Sequence, residues 1–171
     1  MLIVPYAAVP QQPQNPKVMK HLFLALMLTL SLGASAQSAD KLYDEGKQLY
    51  DAEQYDKAVP KLQAAADKGH KKAQYRLGRC YDKGDGVKED DKKAFELYMK
   101  SAKQDYAKAM YQLGKCYLKG EGVAVNADEA KKWLKRAVSD PKNGPDILKD
   151  LRKAKADGEE ASRILTLIGK K

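Results

Sequence analysis

The sequence repeats itself with a period of 36 residues. Residues 73–87 read AQYRLGRCYDKGDGV, and residues 109–123 read AMYQLGKCYLKGEGV. The two copies share Ala, Tyr, Leu-Gly, Cys-Tyr, Lys-Gly and Gly-Val at matching positions. A fixed period of this length is typical of solenoids, in which each repeat is one supersecondary unit that buries its apolar face against its neighbours. The repeat therefore predicts an array of similar units.

Each unit is expected to be a helix, a glycine turn and a second helix. Leu77 and Tyr81 are four residues apart, so they line one face of the first helix. Gly78 lies inside that helix, where glycine costs about 1 kcal/mol relative to alanine. We therefore expect a neighbouring helix that packs too close for a Cβ. Gly84 and Gly86 end the helix, because glycine readily adopts the positive φ that such a turn needs.

The second helices have recognisable starts. Asp90 and Asn126 are expected N-caps, since their side chains accept hydrogen bonds from exposed backbone N–H groups. Glu129 follows Asn126 by three residues and resembles the second member of a capping box. The apolar positions of the two second helices are Ala94, Leu97, Tyr98, Ala102, Ala130, Trp133, Leu134 and Val138. We expect Trp133 to be buried between its own helix pair and the C-terminal helices.

These residues resemble the pattern of the Sel-one-like repeat family, a relative of the tetratricopeptide repeats. The pattern falls on Ala73, Leu77, Gly78, Tyr81, Gly84, Gly86, Val87, Asp90, Lys93, Ala94, Leu97, Tyr98, Ser101 and Ala102, and in the next copy on Ala109, Leu113, Gly114, Tyr117, Gly120, Gly122, Val123, Asn126, Ala130, Trp133, Leu134, Ala137 and Val138. The resemblance covers about residues 39–142. It implies an all-α fold, a right-handed α-α superhelix of three helix-turn-helix repeats, and a scaffold that binds proteins or peptides.

The three repeats are predicted at about residues 39–70, 71–106 and 107–142 of the domain 37–171. The first lacks the Gly-x-Gly-Val turn and is four residues shorter there, so it resembles a plain tetratricopeptide unit. Pro60 is tolerated in the first turn of a helix, so the second helix of this repeat is expected to start near residues 57–59.

A C-terminal capping helix pair is predicted over residues 143–168. Pro145 suits the start of a helix, and Gly158 separates the two apolar segments. The apolar residues are Ile147, Leu148, Leu151, Ile164, Leu165, Leu167 and Ile168. Terminal repeats of a solenoid are atypical because they cover an exposed end, which is the role we expect for this pair.

The first 36 residues predict export. Residues 1–18 contain four prolines and no acid, and we interpret them as a disordered upstream extension before a true start at Met19. Residues 19–36 combine a basic start, an apolar run and an Ala-x-Ala site, which is the pattern of a secretory signal peptide. The apolar run is shorter than the about 20 residues of a membrane anchor. The mature chain, from Gln37, is therefore expected in the periplasm or outside a bacterial cell.

The charge pattern indicates a solvated surface. The chain has 32 lysines and arginines against 23 acidic residues, a formal net charge of +9, and the two signs are interleaved after residue 36. An exported chain without an aromatic and basic binding motif is not expected to bind nucleic acid. A protein or an acidic peptide is the expected partner, with no cofactor and no stable membrane anchor after signal cleavage.

Candidate catalytic and metal-binding residues are few. His70 is the only histidine after the predicted signal peptide. No zinc-ligand spacing, phosphate loop or nucleophile elbow is present, so we expect neither an enzyme nor a metal site. Ser139 to Lys142 matches the S-x-x-K string of penicillin-recognising enzymes, without its companion motifs. Cysteine-rich relatives in the resembled family have been linked to penicillin binding, so an envelope enzyme or a binder of cell-wall fragments is the alternative function.

Cys80 and Cys116 are interpreted as buried thiols, with a disulfide as the alternative. Two cysteines in an exported chain suggest a disulfide. These two, however, occupy the same position in adjacent repeats. Stacked helices lie about 8–10 Å apart, whereas a disulfide needs Cα atoms within about 7 Å.

The expected binding face lies on the first helices, which line the concave surface in the resembled family. A tyrosine precedes each helix glycine by three residues, and a basic residue follows it by one. Residues four apart share a helix face, so both columns should face one groove. The predicted binding residues are Tyr43, Lys47, Lys72, Tyr75, Arg76, Arg79, Lys108, Tyr111, Lys115 and Lys119. Their charge predicts an acidic or carboxylate-ended peptide, held by charge-assisted hydrogen bonds.

Overall fold

A computed structural model describes residues 37–154 and 159–170. The predicted upstream extension and signal peptide lie outside these residues. The described chain is entirely helical, without strands, which confirms the predicted all-α class. Its helices are α1 (Ala39–Asp51), α2 (Tyr55–Asp67), α3 (Lys71–Lys83), α4 (Asp91–Ala102), α5 (Ala107–Lys119), α6 (Ala127–Ser139), α7 (Gly144–Ala154) and α8 (Glu159–Leu167).

The helices pack in sequential pairs. Helix α1 packs on α2, α3 on α4, and α5 on α6, and consecutive pairs meet through α2 with α3 and α4 with α5. Helix α7 then packs on α6 and α8. Each helix contacts only near neighbours in the chain, which is the architecture of a solenoid with a helical pair at its C-terminal end.

A glycine in each first helix allows its partner helix to approach closely. A Cβ built on Gly114 would lie 2.5 Å from Cγ of Leu134, and one on Gly78 would lie 2.8 Å from the ring of Tyr98. Gly46 stands in the same relation to Leu62, at 3.0 Å. The expected close packing at these glycines is confirmed.

The Gly-x-Gly turns join each repeat to the one before it. The first turn glycines adopt positive φ, with 74° at Gly84 and 81° at Gly120, so they end their helices as expected. The second glycines have φ of 70° at Gly86 and 69° at Gly122. A Cβ on Gly86 would overlap the backbone of Tyr55, and one on Gly122 the carbonyl of Asp91, at the starts of α2 and α4.

The first repeat turns more tightly. Residues 52–54 join α1 to α2, whereas residues 84–90 and 120–126 join the later pairs, so the four missing residues do lie in the turn. Within the described chain this repeat has no earlier helix pair for a Gly-x-Gly turn to contact. Helix α2 begins at Tyr55, so the expected start near residues 57–59 is wrong, and Pro60 lies in the second turn.

The expected N-caps are present, but the capping box is not. Asp90 accepts a hydrogen bond from the backbone N–H of Lys93, and Asn126 accepts from Asp128 and Glu129. The Glu129 carboxylate does not return to Asn126, whose N–H donates to the carbonyl of Tyr117. It accepts instead from Trp133 Nε1, at 3.1 Å.

Two apolar clusters form the core. One joins the first repeat to α3 and contains Leu62, Leu77 and Cys80. The other runs from α4 to α8 and contains Cys116 and Trp133. Trp133 is only 7% exposed and shares its cluster with residues of α7 and α8, as its predicted position requires.

Candidate peptide-binding groove

A groove of about 750 Å³ separates α5 from the C-terminal pair. Its lining comes from α3, α5, α7 and α8 and combines aromatic, aliphatic, amide and charged side chains. The lining residues are Tyr75, Lys108, Tyr111, Gln112, Lys115, Asn143, Asp146, Ile147, Lys149, Asp150, Leu151, Ala154, Glu160 and Ala161. The volume lies in the range of about 300–1,000 Å³ that ligand sites occupy.

One wall follows from the helical period of α5. Lys108, Tyr111, Gln112 and Lys115 are spaced three, four and seven residues from the first, so they lie on one helix face. Tyr75 of α3 extends this wall, and its ring packs edge-on to Tyr106 with ring centroids 5.3 Å apart. The wall therefore has an aromatic base with amide and ammonium groups around it.

The opposite wall follows from the period of α7. Asp146 and Asp150 are exposed and one helical turn apart, whereas Ile147 and Leu151 are buried beneath them. The apolar stripe predicted for the cap is therefore present, and the aspartates beside it face the groove. From the sequence, the cap was predicted only to cover the end of the solenoid, so these acidic residues were missed.

Glu160 of α8 pairs with two lysines of α5. Its carboxylate oxygens lie 3.0 Å from Lys115 Nζ and 3.1 Å from Lys119 Nζ. Burial opposes ionisation of this carboxyl, but the two ammonium groups outweigh it and hold the pKa of Glu160 below its ordinary value. Lys115, which was predicted to meet a ligand, is therefore already paired within the protein.

The pKa of the Tyr111 hydroxyl is affected by the charged groups of the groove. Burial, with the negative charges of Glu160 and Asp150, raises the pKa of its hydroxyl to about 12. The phenol is therefore neutral at physiological pH and can donate a hydrogen bond. The carboxylates of α7 and α8 are therefore close enough to Tyr111 to raise its pKa.

The structure brings four of the predicted binding residues into the groove and leaves the others outside it. Tyr75, Lys108, Tyr111 and Lys115 line the groove. The residues that do not line it are Tyr43, Lys47, Lys72, Arg76, Arg79 and Lys119. The ten predicted binding residues therefore do not all line one groove.

The N-terminal part of the predicted face has partners of its own. The ring of Tyr43 stacks on the imidazole of His70, with centroids 4.4 Å apart. Arg76 binds Asp51 at 3.2 Å and lies over the ring of Tyr50 at 5.4 Å. Lys47 also pairs with Asp51. These basic side chains satisfy acidic and aromatic groups of the first repeat.

The described residues contain neither a metal-binding cluster nor a hydrogen bond between the two ends of the S-x-x-K string. They contain no cluster of three or more His, Cys, Asp or Glu side chains that could hold a metal ion. Ser139 and Lys142 of the S-x-x-K string share no hydrogen bond in this part of the chain, and Asp140 accepts bonds from the backbone N–H groups of Lys142 and Asn143. No helix among the described residues is long and apolar enough to span a bilayer.

Both cysteines are free and buried. Burial, assisted by nearby carboxylates, raises the pKa of the Cys80 thiol to about 11 and that of Cys116 to about 12. The two side chains belong to different apolar clusters. Neither thiol has the exposed, electropositive surroundings of a reactive cysteine.

Comparison with known families identifies the repeats. The family model of the Sel1 repeat matches residues 71–106 and 107–140. Residues 71–140 therefore match two tandem Sel1 repeats. These are the second and third helix pairs, and the first pair, with its short turn, lies outside the matched residues. Sel1 repeats generally form scaffolds for protein–protein interaction and are typically non-enzymatic.

Solved structures share this fold. The chain is similar to a Sel1 repeat protein from Oxalobacter formigenes, with a TM-score of 0.58 and 30% identity over 74% of this chain and 54% of that one. It is also similar to c5321, a protective antigen of uropathogenic Escherichia coli with an SLR fold, with a TM-score of 0.58 and 28% identity over 77% of this chain and 29% of that one.

Two curated relatives match in sequence, and both are named exopolysaccharide production negative regulators. The protein from Rhizobium meliloti is 30% identical over 49% of this chain, and the protein from Rhizobium leguminosarum bv. viciae is 37% identical over 41% of it. The matches span only 38% and 27% of those relatives' own lengths.

Proposed function

We propose that this Sel1-repeat chain is an exported scaffold that binds a peptide segment of another protein in the groove between α5 and the C-terminal pair. The observation that carries the proposal is the groove itself, in which Tyr75 and Tyr111 provide an aromatic base beside amide and charged groups. Aromatic surfaces with a few polar groups at the edge are typical of protein-recognition sites. The general role of Sel1 repeats as interaction scaffolds supports the assignment.

A peptide selection tests the proposal. The purified protein would be used to select binders from a displayed random peptide library, and the affinity of the selected peptides would be measured for two variants. Gln112→Arg places a long side chain in the groove and should weaken binding at least tenfold. Lys131→Glu changes an exposed α6 residue outside the groove and should leave binding unchanged. Selected peptides that bind both variants equally well would place the binding site elsewhere.

Export is the second part of the proposal. Its support is the signal-peptide pattern of residues 19–36, which lies outside the described residues. Material isolated from the native host should begin at Gln37 when its amino terminus is sequenced. A product that retains the apolar run of residues 22–32 would contradict signal cleavage.

A further inference from the structure

The two walls of the groove carry opposite charge. The lysine wall is the α5 face with Lys108 and Lys115, and the aspartate wall is the α7 face with Asp146 and Asp150. Lys149 adds one positive charge to the aspartate wall, which stays acidic overall. A peptide in the groove therefore lies between a cationic side and an anionic side.

The charges on the walls are largely unused by the protein. Within the described chain, Lys108, Asp146 and Asp150 take part in no ion pair or side-chain hydrogen bond. Lys115 differs, because it is already paired with Glu160, a carboxylate that it shares with Lys119. Lys108 on one wall, and the two aspartates with Lys149 on the other, are thus the charged groups available to a ligand.

The spacing of the aspartates suits an extended peptide. Residues four apart on a helix are separated by roughly 6 Å along its axis. In an extended chain successive side chains point to opposite sides, and those on the same side repeat every roughly 7 Å. A strand that runs along α7 can therefore present one side chain to each of Asp146 and Asp150, while the intervening side chains face α5.

We infer that the groove binds an extended segment of a partner protein in which acidic and basic residues alternate. The acidic side chains face the lysine wall and the basic ones face the aspartate wall. This inference rests on the proposed function and refines its ligand. An acidic peptide, one of the two ligands that the sequence predicted, would meet repulsion from Asp146 and Asp150.

Four synthetic octapeptides with blocked ends test the charge pattern. One alternates Glu and Lys, one carries four Glu followed by four Lys, one alternates Glu and Ser, and one alternates Lys and Ser. The first two have the same composition and no net charge, so they differ only in pattern. Titration followed by NMR shifts of the α5 and α7 backbone amides would give each affinity at low salt. The alternating Glu-Lys peptide should bind about fivefold more tightly than the block peptide, since each exposed pair contributes up to about that factor.

Wall-charge variants make the test specific. Lys108→Glu makes both walls acidic and should shift the preference to the Lys-Ser peptide. Asp150→Lys, together with Lys149, makes the aspartate wall net positive and should shift the preference to the Glu-Ser peptide. The double variant restores one wall of each sign. It should recover binding of the Glu-Lys peptide, which can bind with its acidic and basic sides exchanged. Lys131→Glu is the matched control, and circular dichroism would confirm the helical content of each variant.

Three results would overturn the inference. They are tighter binding of the Glu-Ser than of the Glu-Lys peptide by the unaltered protein, equal binding of the block and alternating peptides, and a double variant no better than its worse single variant. Each of these leaves the proposed function intact if library-selected peptides still depend on Gln112. Loss of that dependence would instead contradict the groove as the binding site.

Discussion

The imidazole of His70 stacks on the ring of Tyr43 and at the same time caps α3. Its Nδ1 accepts a hydrogen bond from the backbone N–H of Ala73 at 3.1 Å, and its Nε2 lies 3.2 Å from Asp40. An acceptor at Nδ1 and a donor at Nε2 are compatible only with the neutral ring. The neutral imidazole of His70 therefore joins α1 to α3, and protonation of the ring would break this arrangement.

Stability should fall as His70 becomes protonated. Burial, with the positive charge of Lys72, outweighs Asp40 and lowers the pKa of His70 below its ordinary 6.5. The unfolded chain then binds a proton that the folded chain resists, so the free energy of unfolding decreases as pH falls from about 6.5 towards the lower folded-state pKa. The slope is at most about 1.4 kcal/mol per pH unit.

His70→Asn is the control for this pH dependence. Asparagine is a good N-cap and does not titrate, so the variant should show a flatter stability profile between pH 7.5 and 5. Urea unfolding followed by circular dichroism measures both proteins. Parallel profiles across that range would show that protonation of His70 does not affect folding.

Gly114→Ala should destabilise the third helix pair. Added volume in a packed interface costs about 1–3 kcal/mol, which equals or exceeds the gain of about 1 kcal/mol from the better helix propensity of alanine. The cost arises because the new methyl group meets Leu134. In a Leu134→Ala background the same change should cost little or become favourable, and a thermodynamic cycle from urea unfolding measures the coupling. Equal costs in both backgrounds would mean that contact with Leu134 is not what makes alanine unfavourable at position 114.

Trp133→Ala should cost about 3–5 kcal/mol, since it leaves a cavity in the core. The indole also loses its hydrogen bond to Glu129 and its contact with Arg136, whose guanidinium lies 4.9 Å from the ring. Trp133→Phe, which retains most of the volume, should lose much less. Thermal melts compare the three proteins, and a shift of only a degree or two for Trp133→Ala would contradict its burial.

Tyr98→Phe should stabilise the protein by about 1 kcal/mol or more. The Tyr98 hydroxyl is fully buried, and no described residue forms a hydrogen bond with it. A buried hydroxyl without a partner costs about 1–3 kcal/mol, whereas the phenylalanine ring keeps the contact with Gly78. Denaturant unfolding measures the change. A loss of stability would show that the hydroxyl is hydrogen bonded in solution.

Cys80 and Cys116 should react slowly with a thiol reagent in the native protein at pH 8. Both thiols are buried, and their raised pKa values leave little reactive thiolate. After unfolding without reductant, two thiols per chain should react rapidly. Finding none would demonstrate a disulfide.

The fold was largely predictable because it depends on local, repeated signals. The 36-residue period, the internal glycines and the Gly-x-Gly turns occur in the sequence at fixed intervals, and each has the same structural role in both copies. Prediction failed at two local details. Pro60 suggested a later helix start than Tyr55, and the Glu129 carboxylate binds Trp133 instead of closing a capping box.

The candidate groove was only half predictable. Lys108 and Tyr111 could be placed on one helix face from their spacing, because helical period is a property of the sequence. Asp146, Asp150 and Glu160 belong to other helices, and no period relates them to α5. Only the packing of α7 and α8 against the last repeat places these carboxylates beside the lysines. The sequence by itself therefore determined the repeated helix pairs, whereas the tertiary structure decided which charges face each other, since ionic contacts depend on distance through space and not on separation along the chain.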